Sequence, residues 1–126
     1  MITKESIKSL HERKDQLYKF INIKNKEKKC RELEKNSQKS DFWEDPQKAK
    51  IILQEINNLK TWITYFNKLS NNLDELDVLF ELQASEKELN DQLIKTQETI
   101  EKLEFKNMLS SKEDSMSAIL TIKPGA

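Results

Sequence analysis

Residues 46–83 read PQKAKIILQEINNLKTWITYFNKLSNNLDELDVLFELQ. Ile52, Ile56, Leu59, Trp62, Phe66, Leu69, Leu73, Leu76 and Phe80 recur there at steps of three and four. A period of about 3.6 residues puts them on one stripe, so a single helix is expected from Pro46 to about Gln83. No Gly and no internal Pro interrupts it, and Ser70-Asn71-Asn72 is the one candidate kink. Asp45 suits the N-cap, and Pro46 suits the first helical position, where a missing N–H costs nothing. The preceding connection, Asp41-Phe42-Trp43-Glu44-Asp45-Pro46, is too apolar for a free loop. Phe42 and Trp43 are therefore expected to plug the end of a bundle; a docking surface is the other reading of this turn.

Upstream, a helix is expected from about Thr3 to about Asn36. Ile7, Leu10, Leu17 and Ile21 follow the same alternation with Lys14 in the intervening slot, and Tyr18 and Phe20 widen the stripe. Cys30 and Leu33 extend it weakly past the polar run Asn22–Lys29. At ~1.5 Å per residue this rod is about 50 Å long, and the polar run Asn36–Ser40 ends it. Downstream, Ser85 followed by Glu88 reads as a capping box. It opens a third helix whose Leu89, Leu93, Thr96, Ile100, Leu103 and Asn107 repeat at four-three-four. Phe105 and Met108 add apolar surface near its end. Three long helices with one stripe each hide those stripes by packing antiparallel, which gives an all-α fold: an antiparallel bundle of three long helices. The Asn, Thr and Lys interruptions imply that parts of the seam are loosely packed or wet.

Residues 115–122, Ser-Met-Ser-Ala-Ile-Leu-Thr-Ile, switch to a strand-like pattern. A lone strand cannot pair its own backbone groups. It is expected to be a short C-terminal strand belonging to a missing next domain. The chain then divides into a helical N-terminal domain, 1–112, and a linker with the first strand of a truncated domain, 113–126.

Composition narrows the function classes. Among 126 residues there is one Gly, Gly125. Tight turns at positive φ are therefore scarce, and sandwiches, barrels and Gly-rich phosphate loops are excluded. No apolar run is long enough for a membrane span, and the N-terminus lacks a signal core, so a cytoplasmic protein is expected. Cys30 is alone, which fits a reducing compartment. Lys plus Arg equals Asp plus Glu at 22 each. Yet residues 1–50 hold 14 basic and 9 acidic residues, and residues 51–126 hold 8 and 13. Either the helices attract one another across solvated faces, the reading the sequence favours, or the basic first helix touches RNA phosphates.

Chemistry is sparse. His11 is the only histidine, without a second His or a Cys to complete a zinc site, and reads as a surface or seam residue. Glu32 with Glu34, and Asp74 with Glu75 and Asp77, read as solvated helix faces. Cys30 lies near Lys28, Lys29 and Arg31, which would lower its pKa, although a small seam residue is the preferred reading. Trp62, Phe66 and Phe80 read as core. No catalytic, cofactor-binding or metal residue is assigned, and no enzyme is expected.

Two segments carry a resemblance. One is Ser40-Asp41-Phe42-Trp43-Glu44-Asp45-Pro46-Gln47-Lys48-Ala49. The other is Leu103-Glu104-Phe105-Lys106-Asn107-Met108-Leu109-Ser110, continuing through Asp114-Ser115 to Leu120-Thr121-Ile122-Lys123-Pro124-Gly125-Ala126. Together they resemble the N-terminal part of the bacterial peptide chain release factor 2 family. In that family an Asp-apolar-Trp turn with an acidic-Pro pair separates the first two helices, and a Leu-Glu-Phe-basic-x-Met segment closes the third. The connection at Ala84-Ser85 is shorter than in many members, and Asn107 stands where a second basic residue is common. Release factor 1 carries an apolar-Pro-Lys-Asp-Pro-like stretch where this chain has Met108-Leu109-Ser110-Ser111-Lys112.

The resemblance implies a role in translation termination at UAA and UGA. The family reads codons with Ser-Pro-Phe and hydrolyses peptidyl-tRNA with Gly-Gly-Gln; neither tripeptide occurs in these 126 residues. The implied partners are the ribosome, at its stalk-base region and in rRNA, and the class-two release factor GTPase, with no membrane and a monomeric chain. The competing readings are a stand-alone coiled-coil adaptor unrelated to translation and a truncated product that competes for the ribosome.

Overall fold

The structure is a computed structural model that describes residues 2–122, with side chains to residue 111. Four helices follow in order: α1 (Lys4–Ile21), α2 (Ile23–Ser37), α3 (Pro46–Glu81) and α4 (Glu86–Ile122), with a 3-10 turn at Phe42–Glu44. The described residues contain no strand. α3 is the spine. His11 meets Asp77 and Tyr18 stacks against Phe66, so α1 runs antiparallel to α3. Lys29 meets Glu55, so α2 lies antiparallel along the first half of α3. Asn72 meets Thr99 and Lys106 meets Trp62, so α4 is antiparallel to α3 as well.

The expected first helix is thus two helices laid end to end on α3. The break is Asn22, in the left-handed conformation at φ 59. Its N–H donates to the Lys19 and Tyr18 carbonyls and closes α1. The physical reason lies in Ile21 and Ile23, which are 3% and 1% exposed. Two positions apart on a continuous helix they would face roughly opposite ways. A left-handed residue between them turns both inward, and Asn tolerates that conformation better than most non-Gly residues. Lys26 reinforces the joint, donating from Nζ to the Ile21 carbonyl at 2.7 Å.

α3 runs without interruption through Ser70-Asn71-Asn72. Its start is the expected one: Asp45 Oδ1 accepts from the Lys48 N–H at 3.2 Å, with Pro46 at the first position. Its end is a Schellman motif around Gln83 at φ 54. There the Ala84 N–H donates to the Leu79 carbonyl and the Gln83 N–H to the Phe80 carbonyl. Ser85 Oγ then caps α4, accepting from the Glu88 N–H at 3.2 Å. Because Gln83 holds a conformation that a Cβ disfavours, Gln83→Gly is expected to stabilise the fold by about 0.5–1 kcal/mol. Thermal melting checks this; a lower midpoint would contradict the strain assigned to that turn.

Residues 115–122, expected as a strand, are helical, and α4 passes through the expected polar break at Ser110–Ser115. A helix satisfies its backbone groups within one segment, whereas a strand here has no neighbour to pair with.

The main core joins α1, α3 and α4 through Ile7, Leu10, Leu17, Leu69, Leu73, Leu76, Ile100 and Leu103. Cys30, Ile56 and Leu59 form a smaller one between α2 and α3. Of the polar interruptions, Thr96 is neither loose nor orphaned: it is buried and joins a polar layer between α3 and α4. Asn72 Nδ2 donates to Thr99 Oγ1 at 2.9 Å, Gln92 Nε2 to the Asn72 carbonyl at 2.8 Å, and Thr96 Oγ1 to the Gln92 carbonyl at 2.8 Å. Among the described residues every buried side-chain N or O has a partner. Such a layer holds α3 and α4 in one register, because a one-turn slip would strand the Asn72 and Gln92 side-chain amides, whose partners lie on the opposite helix.

Candidate binding surface

Residues with possible chemistry are engaged in the scaffold. His11 is half-buried between α1 and α3, with Nε2 at 2.7 Å from Asp77 Oδ2. Arg13 clamps Glu104 of α4 with two hydrogen bonds, Nε at 3.1 Å from Oε2 and Nη2 to Oε1. The hydrogen bond to Glu104 is the main reason that the Arg13 pKa is raised. Cys30 is 4% exposed, and its thiol donates to Glu34 Oε1 at 3.2 Å. Burial pushes the thiol pKa up, and the Glu34 carboxylate adds to that rise. The lowering expected from Lys28, Lys29 and Arg31 does not prevail, so Cys30 is a seam residue. Glu34 in turn is held below the usual carboxylate range by the Cys30 and Lys60 hydrogen bonds. Glu32, Asp74 and Glu75 are exposed. No group of three potential metal ligands occurs among the described residues, and no helix there is long and apolar enough to cross a membrane.

Trp62 and Phe66 are core residues and Phe80 is partly buried. Trp62 is bracketed by two cations from different helices. Lys106 Nζ of α4 lies 4.7 Å from its ring centre and Lys26 Nζ of α2 lies 5.5 Å away. Each such contact contributes about 0.5–1 kcal/mol and ties the two helices to α3 where α1 ends.

Two of the exposed surfaces bear on binding. The first is the turn between α2 and α3. Phe42 is half-buried, but Trp43 is 63% exposed and meets the Phe42 ring edge-on, with centroids 5.1 Å apart. The expected plug is therefore half right. A 3-10 turn has three residues per turn, so adjacent side chains point about 120° apart and only one can reach the hairpin. The indole is left at the tip, beside Asp41, Glu44 and Asp45.

The second surface is the outer side of α2. Lys24, Lys28, Arg31 and Lys35 are all exposed and fall at steps of four, three and four. They share the face opposite Ile23, Cys30 and Leu33, which pack toward α3. Lys29, by contrast, sits at the α3 edge, 2.7 Å from Glu55. The charge asymmetry of the first fifty residues was visible in sequence; the stripe within it was not singled out, although its spacing alone would have found it.

Comparison with known proteins matches residues 26–126 to the PCRF domain. The chain is 32% identical over 128 residues to "Peptide chain release factor 2" of Petrotoga mobilis, an alignment covering 98% of this chain and 35% of that protein. Against the protein of that name from Clostridium perfringens (strain SM101 / Type A) it is 32% identical over 133 residues, covering 99% and 36%. For Helicobacter pylori (strain J99) the figures are 30% over 128 residues, 97% and 35%. The chain thus spans about a third of the length of the curated relatives it matches.

Proposed function

The chain belongs to the peptide chain release factor family through its PCRF domain, and we propose that it is the helical module that positions such a factor on the ribosome during termination at UAA and UGA. On this reading it performs no hydrolysis. It docks as a cytoplasmic monomer toward the stalk-base region and the class-two release factor GTPase. The observation that carries the positioning role is Trp43. A large aromatic left mostly in solvent at a hairpin tip contributes little to the fold, and buried aromatic anchors are what interface hot spots are made of. The α3 spine and the register-fixing layer around Asn72 make the tip a fixed point on a rod, as a positioning element requires.

The test is a release assay on ribosomes programmed with UGA. The 126-residue chain added alone is expected to free no peptide. Added in excess over a full-length release factor 2, it is expected to slow release by competing for the factor's docking surface. Hydrolysis by the chain alone would refute the non-enzymatic reading, and undiminished release at saturating chain would refute the docking role.

A further inference from the structure

We infer that the outer face of α2 is a binding strip for the phosphodiester backbone of RNA, with Lys24, Lys28, Arg31 and Lys35 as its contacts. Their spacing brings the four cations into one line about 16 Å long, at ~1.5 Å rise per residue. None of the four has an ion pair among the described residues, whereas Lys29 and Lys60 on the flanks are paired with Glu55 and Glu34. No helix is packed over the face: all four side chains are exposed, and α2 packs chiefly against α3. The carboxylates nearest the strip on α2 are Glu27, half-buried on one side, and Glu32, exposed on the other. They flank the line without interrupting it.

The occupant follows from what the face lacks. Between and beside the cations stand Asn25, Glu32 and Asn36, all exposed, with no apolar side chain among them. A protein partner needs an apolar or aromatic anchor at the centre of its contact. A membrane needs apolar side chains to insert. A row of phosphates needs only cations in register and polar neighbours, and such contacts fix position without reading sequence. The choice of RNA over DNA rests on the ribosomal reading above. The strip complements the tip: Trp43 supplies a local anchor, and α2 supplies a second, sequence-independent contact that fixes the direction of the rod.

Fluorescence anisotropy of the 126-residue chain with labelled oligouridylate, measured across a KCl series, tests the inference. Four contacts predict a slope of log K against log salt of about −2.8, at about −0.7 per phosphate on a single strand. Lys28→Gln with Arg31→Gln is expected to halve that slope with unchanged melting, since both side chains are exposed. Lys87→Gln with Lys95→Gln, removing two exposed cations from α4, is expected to leave it alone. No binding, an equal loss in both double variants, or tighter binding to polyglutamate or to phosphatidylserine vesicles than to oligouridylate would overturn the inference. A chain that binds oligouridylate as stated but not ribosomes would refute the ribosomal reading and leave the RNA strip standing. Ribosome binding without oligouridylate binding would refute the strip alone.

Discussion

Replacing Leu73 by Ala is expected to destabilise the fold by about 2–5 kcal/mol, the range for emptying a fully buried leucine site. Leu73 is 0% exposed, and it sits in the core shared by α1, α3 and α4, directly beside the Asn72 hydrogen-bond layer. That neighbour matters. Leucine cores relax into a cavity by shifting helices together, but here the shift would stretch the bonds from Asn72 to Thr99 and from Gln92 to the Asn72 carbonyl. The site cannot collapse freely, which points to the upper part of the range. A domain of this size is stable by about 5–15 kcal/mol, so the variant forfeits a large share of its margin. Ile51→Ala, on the same helix but 64% exposed, is expected to change stability by only about 0.5 kcal/mol. Urea melts followed by helical circular dichroism compare the two. Equal shifts would mean that the α3 stripe is not the core of this protein.

Replacing Trp43 by Ala separates fold from function in the opposite sense. With most of the indole in solvent and its ring edge-on to Phe42, its removal is expected to cost about 1 kcal/mol of stability or less. If the tip anchors the chain on the ribosome, affinity there is expected to fall by about 2 kcal/mol or more, roughly thirtyfold. Phe42→Ala is the informative companion. Its ring is half-buried and supports the turn, so it is expected to lower both the melting midpoint and the affinity. Should Trp43→Ala lower the midpoint sharply and leave affinity intact, the tryptophan is a plug after all.

The sequence made some of this legible and hid the rest for identifiable reasons. The α3 and α4 stripes, the Asp45-Pro46 start and the Ser85 cap were readable because each depends on local spacing and backbone chemistry alone. The break at Asn22 was not legible, because Ile23 lies inside what reads as a polar run from Asn22 to Lys29. Two apolar residues flanking an Asn inside a helix pattern were the signal that both must turn inward. The strand expected at 115–122 failed for a different reason. Alternation over eight residues favours a strand only when a neighbour exists to pair with, and the described fold offers none. Thr96 reads as a weak point in the seam and Asn72 as part of a possible kink, since sequence alone cannot show that Asn72, Thr96 and Thr99 meet across two helices. At the surface, the Phe42-Trp43 pair was recognised as unusual, but the division of labour between its members depends on the pitch of a three-residue turn.

These parts converge on one physical claim. Asn22 lets two short helices share one side of α3, the Asn72 layer holds α4 in register on the other, and the result is a rod that presents an aromatic tip and a basic strip. The direct test is saturable binding of fluorescently labelled chain to stop-programmed bacterial ribosomes, with full-length release factor 2 as the competitor. The account predicts one saturable class of sites that the full-length factor displaces and that Trp43→Ala weakens. Binding that neither saturates nor yields to the competitor would contradict it.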